Sequence, residues 1–563
     1  MSRRPRDGDE AALRAAVALA LLAFVFYIPA LGAGYVWDDG VLTANPLVAA
    51  PDGLLRFWLS PSENKHEPHY WPLVYTTFWL EYRLWGTDPF GYHLDNILLH
   101  VVCTLLLWRV LRRLEIPGAW FAAALFAVHP VHVESVAWIC ERKDVLSGAL
   151  YLGAVWAYLE FDTSRGRRSY ALALALYVLS LWSKSITVSL PFALAIVLWW
   201  KHGRLSVKRD LRPLVPFLLC GVLLTLFDLS LFYGASTAAE LEINLLERLQ
   251  IAGRALWFYP AKLFWPHPLV ALYPRWTLDA ASPWTWLPHA AALVLFAILW
   301  RFRARTEGRA LLAAAAFYVV TIAPAQNLLN HSFIVFAWVA HRFQYLATAG
   351  LIALVAAGVA RLALPAARRP FALAGAGALL LVLGALTWRQ AGTDHDYLTL
   401  IRHNTKVYPE SFQAHTQLST ALAQSGKMDE AITELDAVIR LRPPKVHTYV
   451  MGRAILLAQA GRNDEARRSF EDALALEPGD SMVHQAFAGF LSDEGQSERA
   501  AEHYRRALES RPDDPAALND LGVQLWKSGR REEAIKYMHR AVELRPDEPV
   551  FRANLQEALA SQP

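Results

Sequence analysis

Apolar runs separated by basic clusters fill the first 391 of the 563 residues. A chain patterned in this way can satisfy its greasy segments only by crossing a bilayer repeatedly. Eleven runs are read as spans, near 11–31, 92–112, 118–131, 143–161, 170–183, 186–200, 213–233, 285–302, 309–329, 343–362 and 371–390. The runs at 118–131 and 170–183 fall short of the ~20 residues a helical span needs. Basic clusters lie at Arg109/Arg112/Arg113, Arg165/Arg167/Arg168, Lys201/Arg204/Lys208/Arg209/Arg212, Arg301/Arg303/Arg305/Arg309 and Arg361/Arg368/Arg369. Eleven spans bring all five clusters to the side of the N-terminal Arg3, Arg4, Arg6 and Arg14, which the positive-inside rule assigns to the cytoplasm. The chain beyond residue 391 is then extracytoplasmic (periplasmic in a bacterial inner membrane). A twelfth span at 245–264 breaks this agreement, and Glu247, Arg248, Arg254 and Lys262 mark that stretch as an interfacial helix. The first run is too long for a signal-peptide core and lacks a small-residue cleavage site, so a retained anchor is expected.

From about Phe412 the sequence repeats every 34 or 35 residues. Loop glycines recur at Gly426, Gly461, Gly495 and Gly529, alanines at Ala431, Ala466, Ala500 and Ala534, and prolines at Pro443, Pro478, Pro512 and Pro546. Small residues where two helices cross, a bulky neighbour (Leu435, Phe470, Tyr504, Met538) and a turn proline are the tetratricopeptide pattern. The expected fold is therefore all-α: a polytopic membrane helix bundle over 1–391, a linker helix over 392–411, four repeats over 412–548 and a capping helix over 549–563. Stacked repeats form a solenoid suited to holding a protein or peptide.

A net charge of +4 gives no reason to expect a nucleic-acid partner. Cys103, Cys140 and Cys220 fall in or beside the expected spans and form neither a disulfide framework nor a CxxC metal motif.

Polar residues that a membrane protein keeps at large cost gather on the outer side. Asp38 and Asp39 open the first outer loop, 32–91, which is also rich in Trp and Tyr. The second outer loop carries His129, His132, Glu134, Arg142, Lys143 and Asp144; the third holds Lys184; the fifth ends in His341, Arg342 and Tyr345. One reading makes the two aspartates helix caps and the rest an ion-pair network tying spans together. The other makes Asp38 and Asp39 catalytic carboxylates at the membrane surface. His129, His132 and Glu134 have the donor types for zinc or manganese, but the spacing is not that of HExxH, which favours a structural or substrate-contact role. No cofactor is required by this reading, and a divalent metal stays open.

The order of GYVWDDGVLTANP, YWPLVYTTFWLEYRLWGTDPFGYHLDNILLH, HPVHVESVAWICERKDVL, Ser183-Lys184 and HRFQYL, followed by tetratricopeptide repeats, resembles the transmembrane and tetratricopeptide-repeat O-mannosyltransferases and their bacterial relatives. Those belong with the C-type, polyprenyl-phosphate-dependent glycosyltransferases. The resemblance implies catalytic acids in the first outer loop, a lipid-phosphate sugar donor and a solenoid on the same side as the active site. Two motifs depart from that family: Ser183-Lys184-Ser185 stands where it has Ser-Lys-Glu, and HRFQYLA stands where it has ERYLYLP.

Transfer of this type needs a base for the acceptor hydroxyl and cations for the departing phosphate. The expected base is Asp39, with Asp38 orienting it or binding acceptor. Arg342, Lys184 and Arg142 are the expected phosphate clamp. His129, His132, Glu134, Asp144 and Tyr345 are further active-site candidates. The expected reaction moves a hexose, mannose above all, from a polyprenyl-phosphate to a protein Ser or Thr with inversion. An oligosaccharide ligase or polymerase of the cell envelope and a non-catalytic repeat scaffold are the competing readings. The first would carry its main outer loop late in the chain, and the second leaves the outer charges without a purpose.

Overall fold

A computed structural model describes residues 5–65, 67, 69–235, 243–328, 332–363, 365, 367–393 and 395–560. The chain divides into two compact units, Met1–Val407 and Tyr408–Pro563. Among the described residues both are helical, without strands.

In the first unit a helix stands at each position where a span is expected, yet among the described residues six pass as spans by length and composition. These are Pro89–Arg113, Ser185–His202, Val207–Leu231, Pro283–Arg301, Thr306–Ala325 and Arg369–Thr393. Ala119–Val128 and Pro130–Ala137 make a seventh only if taken together, because the chain bends by 55° between them. Pro130 explains the break: it has no N–H to give and its ring clashes with the preceding turn. The helices Arg167–Leu181 and Thr348–Leu362 have 15 residues each, about 22 Å of rise against a ~30 Å hydrocarbon core. Arg142–Ser164 has the length, but Arg142, Lys143, Asp144, Glu160 and Asp162 make it too charged. The eleven-span count is thus not reproduced. The stretch 245–264 is the amphipathic helix Leu245–Phe264, capped by Asn244 and Glu247, burying Ile251, Ala255, Tyr259 and Leu263 while Leu245, Leu246 and Trp257 stay exposed.

Small residues set the packing of the bundle. Ala122, Ala123, Ala124 and Ala127 are fully buried against Leu19, Ala23, Cys103, Leu107, Ile352 and Ala356, since short side chains let helix backbones approach closely. The first outer loop is a packed substructure with its own core of Leu42, Leu47, Val48, Phe57, Trp71, Tyr75, Phe78 and Tyr92. Side-chain caps open the loop's short helix Pro46–Ala49 and the long helix Pro89–Arg113 that follows the loop. Asn45 accepts from Leu47 N at 3.1 Å and Asp88 from Phe90 N at 3.0 Å.

The second unit is four helix pairs and a closing helix, from Phe412–Gln424 with Met428–Arg440 to Pro515–Lys527 with Arg531–Leu544, then Pro549–Ala560. Gly426, Gly461, Gly495 and Gly529 sit at φ between +74° and +80° with no atom near where a Cβ would stand. Their requirement is therefore the left-handed turn and not space. Ala431, Ala466, Ala500 and Ala534 are completely buried at the crossings.

Candidate active site

The two aspartates differ sharply. Asp39 is fully buried, and both carboxylate oxygens accept backbone N–H groups: Oδ2 from Val36 at 2.8 Å and Oδ1 from Cys140 at 2.7 Å. It closes the turn Trp37–Asp39 and ties it to a segment 101 residues away. Burial pushes its carboxyl up to about 8; Asp38 adds to that, and the Val36 and Cys140 N–H groups oppose it. Asp38 is exposed, and its charge neighbours are Lys143, Glu141 and Arg342. Its presentation depends on Trp37, held at φ +45°, a left-handed conformation that costs a bulky residue about 1–3 kcal/mol. The Trp37 ring packs against Trp138, Phe336 and Tyr397 at centroid distances of 4.9–6.0 Å, which holds the strained turn in place.

Behind Asp38 lies a buried network of three acids and three bases. Arg342 pairs with Glu134 and lies 3.2 Å from Glu141. Its guanidinium also faces the rings of Phe333 (4.0 Å) and Trp138 (5.1 Å). Lys184 lies 2.5 Å from Asp144 and 3.6 Å from Glu141. Lys143 lies 3.3 Å from Glu141 and 5.5 Å from the centre of the Trp71 ring. Burial alone would raise Glu141, but Lys143, Lys184 and Arg342 outweigh it and hold the carboxyl down at about 2. Lys143 is the most open of the three bases, 14% exposed against 7% for Arg342 and 8% for Lys184.

Several expected site residues lie elsewhere. Arg142 points away from the network into a pocket of its own. It pairs with Glu81, bonds Asn96 and donates to the Tyr92 carbonyl at 2.9 Å, so each of its three guanidinium nitrogens is engaged in tying the first outer loop to the helix Pro89–Arg113. Successive helical residues diverge by about 100°, which is why Lys143 and not Arg142 meets Glu141. His129 bonds the Leu263 carbonyl through Nε2 (2.9 Å). His132 is satisfied by the Phe126 carbonyl (2.9 Å) and Thr348 (3.0 Å). These two histidines and Glu134 therefore do not converge on a metal. Tyr345 is buried in the bundle core, bonded to His100 at 2.7 Å. Among the described residues, the His/Cys/Asp/Glu group close enough to share an ion is Asp162, His202 and Asp210. Asp162 there already pairs with Lys201 at 2.7 Å and Arg165 at 3.1 Å.

Sequence reasoning passed over Glu141, Glu67, His69 and Asp228. Ser185, standing where the resembling family has Glu, donates to the Asp228 carboxylate at 2.5 Å. A lone acid inside the apolar run 213–233 was the available signal.

Comparison with known proteins agrees with this architecture. A family model described as dolichyl-phosphate-mannose-protein mannosyltransferase matches residues 66–231. A tetratricopeptide-repeat model matches 416–481 and 491–549. The protein O-mannosyl-transferase F38B6.6 of Caenorhabditis elegans is 26% identical over 466 residues, 78% of this chain and 65% of the relative. Protein O-mannosyl-transferase Tmtc1 of Drosophila melanogaster is 38% identical over 182 residues, covering 30% of this chain and 21% of the relative. Human protein O-mannosyl-transferase TMTC1 is 36% identical over 155 residues, covering 26% and 18%. The chain thus spans less than two thirds of the length of each of these curated relatives. A stretch similar to the dolichyl-phosphate-mannose-protein mannosyltransferase model is followed here by tetratricopeptide repeats, and protein O-mannosyl-transferases are among the relatives, in agreement with the family that the motifs resemble.

Proposed function

We propose that this membrane protein is a glycosyltransferase that moves a hexose, mannose above all, from a polyprenyl-phosphate donor to a Ser or Thr hydroxyl of a protein. The observation that carries the reading is one exposed carboxylate, Asp38, beside the cations Lys143 and Arg342. The base role moves from Asp39 to Asp38. A base needs an oxygen within reach of the acceptor hydroxyl, and both Asp39 oxygens are occupied by backbone N–H groups. Asp39 instead fixes the turn that presents Asp38.

The donor clamp also shifts. The three acids and three bases of the buried network cancel, so an incoming phosphate recruits the base least committed to carboxylates. Arg342 serves Glu134 and Glu141, and Lys184 serves Asp144 and Glu141. Lys143 has one close ion pair, with Glu141, while Asp38 and Glu67 act on it from farther away, and it is the most open of the three. Lys143 therefore binds the phosphate, with Arg342 behind it adding positive potential. The hydroxyl, its proton passing to Asp38, attacks the sugar's C1 as the C1–O bond to the phosphate breaks, a single displacement that inverts C1. The positive-inside pattern favours the extracytoplasmic face for this chemistry, and the repeats are suited to holding the acceptor. No metal is needed in this scheme.

The test is transfer from a polyprenyl-phosphate-linked radiolabelled hexose to a Ser/Thr peptide by the purified chain. Activity in the parent and its loss in Asp38→Asn supports the reading. A chain that binds protein partners equally well with Asp38→Asn, and transfers nothing in either form, is a scaffold.

A further inference from the structure

We propose that Asp228 is a positioning residue that sets Lys143 in place through the loop segment 69–71. Asp228 lies on the helix Val215–Ala235, inside a candidate membrane span, and is 4% exposed. A lone carboxylate there is costly unless its partners justify it. Its partners come from outside that helix. Oδ1 accepts the Tyr70 backbone N–H at 2.6 Å. Oδ2 accepts the Ser185 hydroxyl at 2.5 Å and meets His69 Nδ1 at 3.1 Å.

From this hub the contacts run to the network. His69 lies flat on Trp71, with centroids 4.6 Å apart and planes within 9°. The Trp71 indole N–H donates to Ser185 Oγ at 3.0 Å. Trp71 is thus held twice, by a stacked imidazole and by a hydrogen bond, and both supports hang on Asp228. Its ring faces the Lys143 ammonium at 5.5 Å, and Glu141 holds the same ammonium at 3.3 Å. Burial lowers the His69 pKa, but Asp228 and Glu67 outweigh it and raise it, so removing the Asp228 charge also removes part of what holds the ring. Lys143 is the charged group on the other side of that balance. Asparagine accepts on one side only, so with the Tyr70 N–H kept on its oxygen the Ser185 hydroxyl loses its acceptor and must turn round.

That Lys143 meets the donor phosphate rests on the proposed function; that Asp228 places Lys143 does not. The experiment therefore reads Lys143 directly. The purified full-length chain is trace-labelled with acetic anhydride, and acetylation at each lysine is quantified by mass spectrometry. Asp228→Asn, Trp71→Leu and the double variant are compared with the parent. Labelling of Lys143 should rise roughly tenfold in Asp228→Asn, as expected from losing one charge-assisted hydrogen bond, while Lys201 stays unchanged. The double variant should match Trp71→Leu alone, because both changes cut one line of contacts. Where transfer is measurable, the donor KM should rise with little change in kcat, and Asp228→Glu should restore part of it. Unchanged Lys143 labelling, or additive effects in the double variant, overturns the proposal. If Asp228→Asn does not fold, Ser185→Ala removes one donor and the Trp71 acceptor while keeping the charge. It should raise Lys143 labelling to a smaller extent, and no rise refutes the proposal. A parent chain without transferase activity overturns the proposed function and leaves the labelling result standing.

Discussion

The contrast between Asp38 and Asp39 gives a prediction with two separable readouts. Asp38→Asn removes a proton acceptor at an exposed residue and keeps an oxygen for its own backbone N–H. Loss of a general base costs about 10²–10⁴-fold in transfer, or roughly 3–5 kcal/mol of barrier at about 1.4 kcal/mol per decade. Thermal stability should not move. Asp39→Asn does the reverse chemistry. Its amide group must replace one of the two oxygens that accept Val36 N–H and Cys140 N–H. Two donors then face each other in a buried site, each costing about 1–3 kcal/mol when unmet. The turn should loosen and the melting temperature should fall, with activity lost in proportion to the displacement of Asp38. The assays are transfer of labelled hexose to a Ser/Thr peptide and a melt followed by tryptophan fluorescence in detergent. An inactive Asp39→Asn with the parent's melting temperature, beside an active Asp38→Asn, would refute the assignment and return the base role to Asp39.

Lys143→Ala should raise the donor KM or lower turnover while the chain stays folded. Arg142→Ala should instead destabilise by about 3–5 kcal/mol, because it leaves Glu81 buried without its partner; a thermal melt of the two variants separates the roles. The Asp39 carboxyl, held up at about 8 against 3.8 for the free group, makes the fold pH-dependent. The folded chain holds this proton more tightly than the unfolded one, so the contribution is complete below pH 3.8 and is lost as pH rises through 8. The whole loss is about 6 kcal/mol, of which about 3 kcal/mol falls between pH 6 and 8, so melts over that range should show a decline that levels off above pH 8 and that Asp39→Asn abolishes. In the repeats, Gly495→Ala places a side chain at φ +74° and should lower the stability of that unit by roughly 1–2 kcal/mol, read as faster proteolysis of the full chain around residue 495.

The parts of the fold legible in the sequence are those set by local rules. The four repeat glycines turn left-handed because each sits between two helices at a fixed spacing, and the helix periods around them needed no distant information. The apolar runs became helices for the same reason. Length and composition of the helices do not reproduce their number as spans, because Pro130 interrupts one run and the charges of Arg142–Ser164 load another. The site was legible as a set of charged motifs and illegible as a wiring diagram. Nothing local separates Asp38 from Asp39, since the choice is made by N–H groups of Val36 and Cys140, the second of them 101 residues away. Nothing local separates Arg142 from Lys143 either, since Glu81 and Asn96 claim the first and Glu141 the second. The Glu134–Arg342 pair joins residues 208 apart. Asp228 is the instructive omission. A single carboxylate in an apolar run is itself an argument that something polar must reach it, and the chain answers with Tyr70, His69 and Ser185. In a membrane segment the isolated charge deserves to be read before the conspicuous cluster, because the cluster can satisfy itself and the isolated charge cannot.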